Sequence, residues 1–177
     1  MKDFEKWIEE LPLIHLPRYE ELSEISLYLD QILEYVNVKL SVLFAFDDVI
    51  LTQAMINNYV KHKVMPAPEK KRYERDHLVY IIAITILKKI MNIHNISAAV
   101  DKAIEMYGIE TSYNLLIDYI EESMKFTLGE IKGPSYTFQK DDIKGSMAIP
   151  FKAATLAFSA KLLADYSFKY LVSKEDI

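Results

Sequence analysis

Four histidines, His15, His62, His77 and His94, are the first candidates for metal or acid–base chemistry. No two lie three or four residues apart, the spacing that sets two side chains on one helix face. Glu74 and His77 form a single Glu-x-x-His spacing, the kind used in di-iron bundles, but such a site needs a second copy and two further glutamates. The acid pairs Asp47-Asp48, Glu121-Glu122 and Asp141-Asp142 are chain neighbours, so their carboxylates point apart instead of converging on a substrate. The absence of cysteine removes disulfides, thiolate metal sites and thiol nucleophiles, and it fits a reducing compartment. No hydroxyl or amine stands in an activating motif. The expectation is a protein that is not an enzyme, with no catalytic residue, metal or cofactor.

The charged residues are more informative. The 177-residue chain carries −5, yet residues 61–75 hold six bases (Lys61, Lys63, Lys70, Lys71, Arg72, Arg75) against two acids (Glu69, Glu74). That stretch is +4 and the remainder −9. A basic island in an acidic chain suits phosphate docking with little non-specific adhesion. A solvated surface loop has the same composition, so both readings stand at this point. Just upstream, Gln53, Asn57 and Lys61 sit at i, i+4 and i+8 and form one polar stripe if the segment is helical. Amides pair bidentately with adenine and lysine grips phosphate or guanine, which is chemistry for reading a major groove.

Helices are the elements expected to position these groups. Only four glycines occur where about twelve would be usual at roughly 7%, which excludes Gly-rich phosphate loops and repeated tight hairpins. A short helix is expected over residues 3–10, ended by Pro12. A longer one should start near Ser23 or Ser26 as cap, with Leu29, Ile32, Leu33, Val36 and Leu40 at helical spacing. Thr52 is the expected cap of a helix over residues 53–63, with Ile56, Tyr59, Val60 and Val64 on its apolar face. Pro66 and Pro68 break the chain before a helix from about Asp76, which is apolar on nearly every side and hence buried. Its β-branched run also suits a strand, but its length favours a helix. Further helices are expected over 96–106, closed by Gly108, and over 112–124, capped by Ser112 and ending before Gly129. Residues from Gly133-Pro134 to Gly145 read as a linker. Pro150 opens the last helix. There, Ile149, Leu156, Leu163 and Tyr170 recur every seven residues, with Ala153, Ala160 and Ser167 beside them. Phe151, Phe158, Leu162 and Phe168 form a second apolar set, expected to pack on the chain's own core.

The run Met55-Ile56-Asn57-Asn58-Tyr59-Val60-Lys61-His62, with Lys71-Arg72-Tyr73 and Leu87-Lys88, resembles the bacterial family called domain of unknown function 1836. His15-Leu16-Pro17-Arg18-Tyr19 and Leu27-Tyr28-Leu29-Asp30-Gln31 are similar to that family's N-terminal pattern, so the resemblance spans residues 4–105. It implies no activity. A looser similarity links the same stretch to MerR-type helix-turn-helix proteins. Ile56 to Tyr59 fall on that family's recognition pattern, and Lys71-Arg72-Tyr73 on its wing motif. Asn57 stands where that family has a phosphate-binding arginine, and Lys63 where it has the glycine of a turn. This resemblance implies that Lys71, Arg72 and Tyr73 touch the DNA backbone while residues 53–61 enter the major groove.

The expected fold class is mainly α: a MerR-like (winged) helix-turn-helix half over residues 1–95 and a helical C-terminal half over 96–177. The expected function is a DNA-binding transcriptional regulator that contacts duplex DNA through Gln53, Asn57, Asn58, Lys61, His62, Lys70, Lys71, Arg72 and Tyr73. The alternative is a helical protein–protein interaction module whose basic island meets an acidic partner. A homodimer is expected through Ile149, Ala153, Leu156, Ala160, Leu163 and Tyr170, against the alternative of a last helix buried in a monomer core. An effector pocket between helices is compatible with the sequence but not specified by it. The N-terminus is charged, and the longest apolar run, residues 78–87, is ten residues against roughly 18 for a membrane span. A cytoplasmic protein without membrane contact is expected.

Overall fold

The computed structural model describes residues 4–133 and 148–175. The described chain is mainly helical: α1 (Phe4–Glu10), α2 (Leu29–Lys39), α3 (Gln53–Lys61), α4 (Arg75–Leu87), α5 (Ile93–Tyr107), α6 (Ile109–Lys132) and α7 (Ala148–Glu175). Among the described residues there is no strand of more than one bridge; two isolated antiparallel bridges join Leu27 to Tyr73 and Glu69 to Arg72. Contacts divide the chain into one unit of residues 16–117 and another made of residues up to 15 with those from 118 onward. The sequence boundary at residue 95 falls inside the first of these, in the opening turn of α5. The expected linker around Pro134 and Gly145, and the pair Asp141-Asp142, lie outside the described residues.

In the unit of residues 16–117, α4 is the centre. Ten of its thirteen residues are buried, including every position of 81–87. Such a segment cannot be amphipathic and must be surrounded. It is a helix, as length favours, and His77 Nδ1 accepts the Glu74 backbone N–H at 3.0 Å to satisfy its first turn. Also buried in this unit are Ile32 and Val36 of α2, Leu40 at its C-terminal cap, Ile56 and Tyr59 of α3, Ile96 of α5, and Tyr113 and Ile117 of α6. Tyr113 donates its hydroxyl to the Pro17 carbonyl at 2.9 Å, and burial pushes its pKa up.

Several ends differ from the sequence expectation. Helix α2 starts at Leu29, where the Tyr28 N–H donates to Gln31 Oε1 at 2.8 Å, so neither Ser23 nor Ser26 caps it. Ser23 bonds locally to the Ile25 carbonyl, and Ser26 receives Arg72. Asn92 caps α5, which starts at Ile93, three residues before the expected start. Gly108 takes φ 77°, a value open to glycine, and α6 resumes at once. Ser112 therefore lies inside a helix and donates to the Ala103 carbonyl at 2.8 Å. Helix α6 also runs through Gly129 to Lys132.

In the other unit, α1 and α7 meet through aromatic rings. Phe4 stacks on Tyr170 at 4.7 Å and Trp7 stands edge-on to Tyr166 at 5.1 Å. Helices α6 and α7 meet through small hydroxyl residues. Ser123 donates to Thr155 Oγ1 at 2.8 Å, and Ser159 donates to the Ser123 carbonyl at 3.0 Å, all three side chains being buried. The heptad stripe of α7 is consequently divided. Leu163 is buried in this unit and Tyr170 is engaged with Phe4, whereas Ile149, Ala153 and Ala160 are exposed and Leu156 is half-buried. The six residues thus do not form one outward seam, because the buried arc of α7 (Thr155, Phe158, Leu162, Leu163, Tyr166) cuts across them. Phe158 and Leu162 pack inward as expected, but Phe168 is 67% exposed. No described helix is long and apolar enough to cross a membrane.

Candidate nucleic-acid interface

Helix α3 begins where the sequence placed it. Thr52 Oγ1 accepts the Met55 N–H at 3.3 Å. The approach to this cap is held by a residue the sequence did not single out. The Asn37 amide of α2 donates to the Leu51 carbonyl and accepts the Leu51 N–H, both at 3.2 Å. One side chain thereby satisfies both backbone groups of the residue that precedes the cap and ties α3 to α2. With Ile56 and Tyr59 buried, the opposite face of α3 must be outward, and Gln53, Asn57, Asn58 and Lys61 are all exposed. From Gln53 to Lys61 the stripe is about 12 Å long at 1.5 Å per residue.

The end of α3 is a Schellman turn. Val64 N–H reaches the Tyr59 carbonyl and Lys63 N–H reaches the Val60 carbonyl, both at 3.0 Å. Lys63 takes φ 54°. Lys63 thus adopts the left-handed backbone that glycine favours. His62, at the cap position, is exposed, and its ring stands edge-on to that of His94 at 6.4 Å.

Five residues beyond Val64, the chain reverses over Glu69–Arg72. Arg72 N–H bonds the Glu69 carbonyl at 2.8 Å, and the two central residues, Lys70 and Lys71, have φ 47° and 62°. Left-handed angles at both centres define the turn type that usually takes Asn-Gly. The three non-glycine residues with positive φ among those described are therefore all lysines of the basic island. All three side chains are exposed and, like Lys61, none forms an ion pair with a described residue.

The remaining residues assigned to DNA contact are placed differently. Tyr73 is only 5% exposed. Its backbone exchanges two 2.8 Å hydrogen bonds with Leu27, and its ring stands edge-on to His77 at 5.6 Å. Burial raises its pKa. Tyr73 is thus a pin for the turn and is withdrawn from the backbone-contacting surface. Arg72 is half-buried, with Nε donating to Ser26 Oγ at 3.1 Å and its guanidinium 4.5 Å over the Tyr28 ring. Arg75 pairs with Glu24 at 3.1 Å and lies 5.1 Å over Tyr19. Beside it is an open polar cleft lined by Tyr19, Glu24, Ser26, Glu74, Arg75 and Asp76. Tyr19 donates to Asp76 Oδ1 at 2.8 Å; burial first, and then this carboxylate, raise the Tyr19 pKa.

The structure therefore brings together an exposed amide and lysine stripe on α3, Lys63 at its end, and Lys70 and Lys71 on the following turn. Among the described residues no group of three or more His, Asp or Glu is placed to hold a metal ion. Residues 17–125 match the family model described as domain of unknown function DUF1836. The chain belongs to that family. The DUF1836 region starts later than the resemblance in the sequence and runs past residue 105 to include most of α6, so it takes in all of α2 to α5 and the whole lysine-bearing surface. No curated protein and no solved structure matches the chain.

Proposed function

We propose that this DUF1836 chain is a non-catalytic regulator that binds duplex DNA with a MerR-like helix-turn-helix and wing. The observation that carries the reading is the left-handed lysine set. Lys63, Lys70 and Lys71 each hold a backbone angle that costs energy, and each presents an exposed charge next to the polar face of α3. In this reading Gln53 and Asn57 meet base edges, Lys61 and His62 flank them, and Lys63, Lys70 and Lys71 grip phosphates on either side. Helix α2 with its loop and α3 forms the helix-turn-helix, and the turn at Lys70-Lys71 is the wing.

A single short recognition helix spans only a few base pairs, so regulators of this kind pair on two half-sites. A second copy is the proposed partner of the outward side of α7, where Ala153 and Ala160 are exposed along with Phe168, Leu171 and Val172. Selection from a random duplex pool at physiological salt, followed by titration over a range of salt, tests the DNA reading. A recovered motif with a steep log–log salt slope is the expected result. Indifference to every duplex ends it and leaves an acidic protein as the partner of the basic island. Sedimentation at high micromolar concentration tests the pairing, and Ala160→Glu is expected to give a folded monomer with half-site binding.

A further inference from the structure

The polar cleft at the first turn of α4 has a volume of about 500 Å³, within the range of roughly 300–1,000 Å³ usual for ligand sites. Its lining carries one fixed cation. The Arg75 side chain is only 22% exposed and is held over the Tyr19 ring, and Tyr19 is itself anchored through its hydroxyl to Asp76. The partner of that guanidinium is loose by comparison. Glu24 reaches Arg75 Nη2 at 3.1 Å from a side chain that is 85% exposed. Arg75 Nε is buried and has no hydrogen-bond partner among the described residues. Glu24 thus fills one arm of a fork that can hold a carboxylate by two N–H bonds. An ion pair with so exposed a member is weak, so a carboxylate from solution can take its place.

The rest of the charged lining is acidic. Glu74 and Asp76 are exposed, and among the described residues neither is ion-paired with a base. Asp76 Oδ1 accepts the Tyr19 hydroxyl, a neutral donor that leaves the carboxylate's charge in place. With Glu24 turned away to solvent, the cleft keeps one fixed positive charge and two negative ones, together with the hydroxyls of Ser26 and Tyr19. A simple anion is repelled by that balance, and a plain diamine has nothing to offer Arg75. The complement is a molecule with one carboxylate and two cationic groups. A basic α-amino acid has that pattern: a carboxylate, an α-ammonium and a charged side-chain end.

We propose that this cleft binds a free basic α-amino acid such as lysine or arginine. The ligand carboxylate displaces Glu24 from Arg75, and the two cationic groups meet Glu74 and Asp76. Glu24 is the internal occupant of the site and competes with the ligand. Neither the lining nor the binding step involves Lys63, Lys70 or Lys71, so the site stands whether or not the chain binds DNA.

The experiment is titration of the full, isotopically labelled chain with L-lysine, followed by amide chemical shifts, with glycine, L-glutamate and putrescine as comparison probes. The expected result is a saturable shift centred on Tyr19, Ser26 and residues 74–76. Lysine should bind about tenfold more tightly than each comparison probe, as each lacks at least one charge-assisted contact. Arg75→Gln should weaken lysine by about tenfold and leave putrescine no weaker. Glu24→Ala changes only an exposed side chain and frees the guanidinium, so it should tighten lysine by about two- to fivefold. Lysine binding no tighter in Glu24→Ala than in the wild type would overturn the proposal. Equal affinity for lysine and glutamate would do the same, as would shifts that do not saturate or that centre elsewhere on the chain.

Discussion

Replacing Lys70 by Asn and Lys71 by Gly gives the turn over Glu69–Arg72 the residues its backbone angles favour. For an L-residue with a full side chain, the left-handed conformation costs roughly 1–2 kcal/mol. Asn tolerates it and Gly has no Cβ to clash, although Gly returns about 0.5–1 kcal/mol through its looser unfolded chain. With φ 47° and 62° at the two positions, the net gain is about 1–2 kcal/mol. For a chain of this length each kcal/mol shifts Tm by about 2–4 °C. Urea unfolding should show a higher midpoint at unchanged slope, because the turn is exposed and the buried surface stays the same. The same variant loses two exposed charges, so its duplex affinity should fall and its log–log salt slope should drop by about two. Lys70→Ala with Lys71→Ala is the control. It removes the charges and keeps the strain, so it should lose binding with no rise in midpoint. An Asn-Gly variant no more stable than the wild type would refute the left-handed turn. Unchanged affinity and slope in both variants would remove these lysines from a phosphate-binding surface.

Asn57→Ala should change preference at particular base pairs, at about 1–3 kcal/mol for the selected site in a competition assay, and leave non-specific binding unaltered. Asn37→Ala orphans both backbone groups of Leu51 and should destabilise by about 1–3 kcal/mol in urea unfolding, with binding lost as α3 comes loose. Lys88→Met should stabilise the protein at pH 7. Below its folded pKa of about 8, Lys88 is charged in both states and the burial penalty is fully present. As pH rises from 8 towards the ordinary lysine value, the folded state sheds the proton first and the penalty fades, so the variant's advantage in thermal midpoint should shrink. An advantage that is constant with pH would contradict a penalised charge at Lys88.

Periodicity carried most of the helical reading, because burial in α3 and α4 follows directly from where apolar side chains recur. Thr52 was legible as a cap since only its own hydroxyl and the local backbone are involved. The start of α2 was not, because Ser26 is used by Arg72, 46 residues away, and no local rule records that. The site was half legible. The polar stripe of α3 follows from spacing, but Lys63, Lys70 and Lys71 carry backbone angles that sequence rules assign to Gly and Asn, so the turn is hidden behind lysines. Tyr73 read as a contact because its motif neighbours are basic, whereas its bridge to Leu27 is a tertiary pairing. The stripe of α7 misled because a seven-residue repeat cannot tell inward from outward on a helix with apolar residues all round.

The hydroxyl contacts of Ser123, Thr155 and Ser159 act as an index between α6 and α7. A greasy interface tolerates sliding by a turn, since one leucine serves as well as the next. Here a one-turn slip would strand buried oxygens without partners, each at about 1–3 kcal/mol. Rotation of α7 is fixed by the same contacts, and with it the azimuth of every other residue on that helix. Ala153 and Ala160 are outward because Thr155 and Ser159 must be inward. Converting the three to alanine would keep the packing volume nearly constant and remove the discrimination between registers. Such a variant would remain helical by circular dichroism yet offer several alternative faces to whatever binds α7.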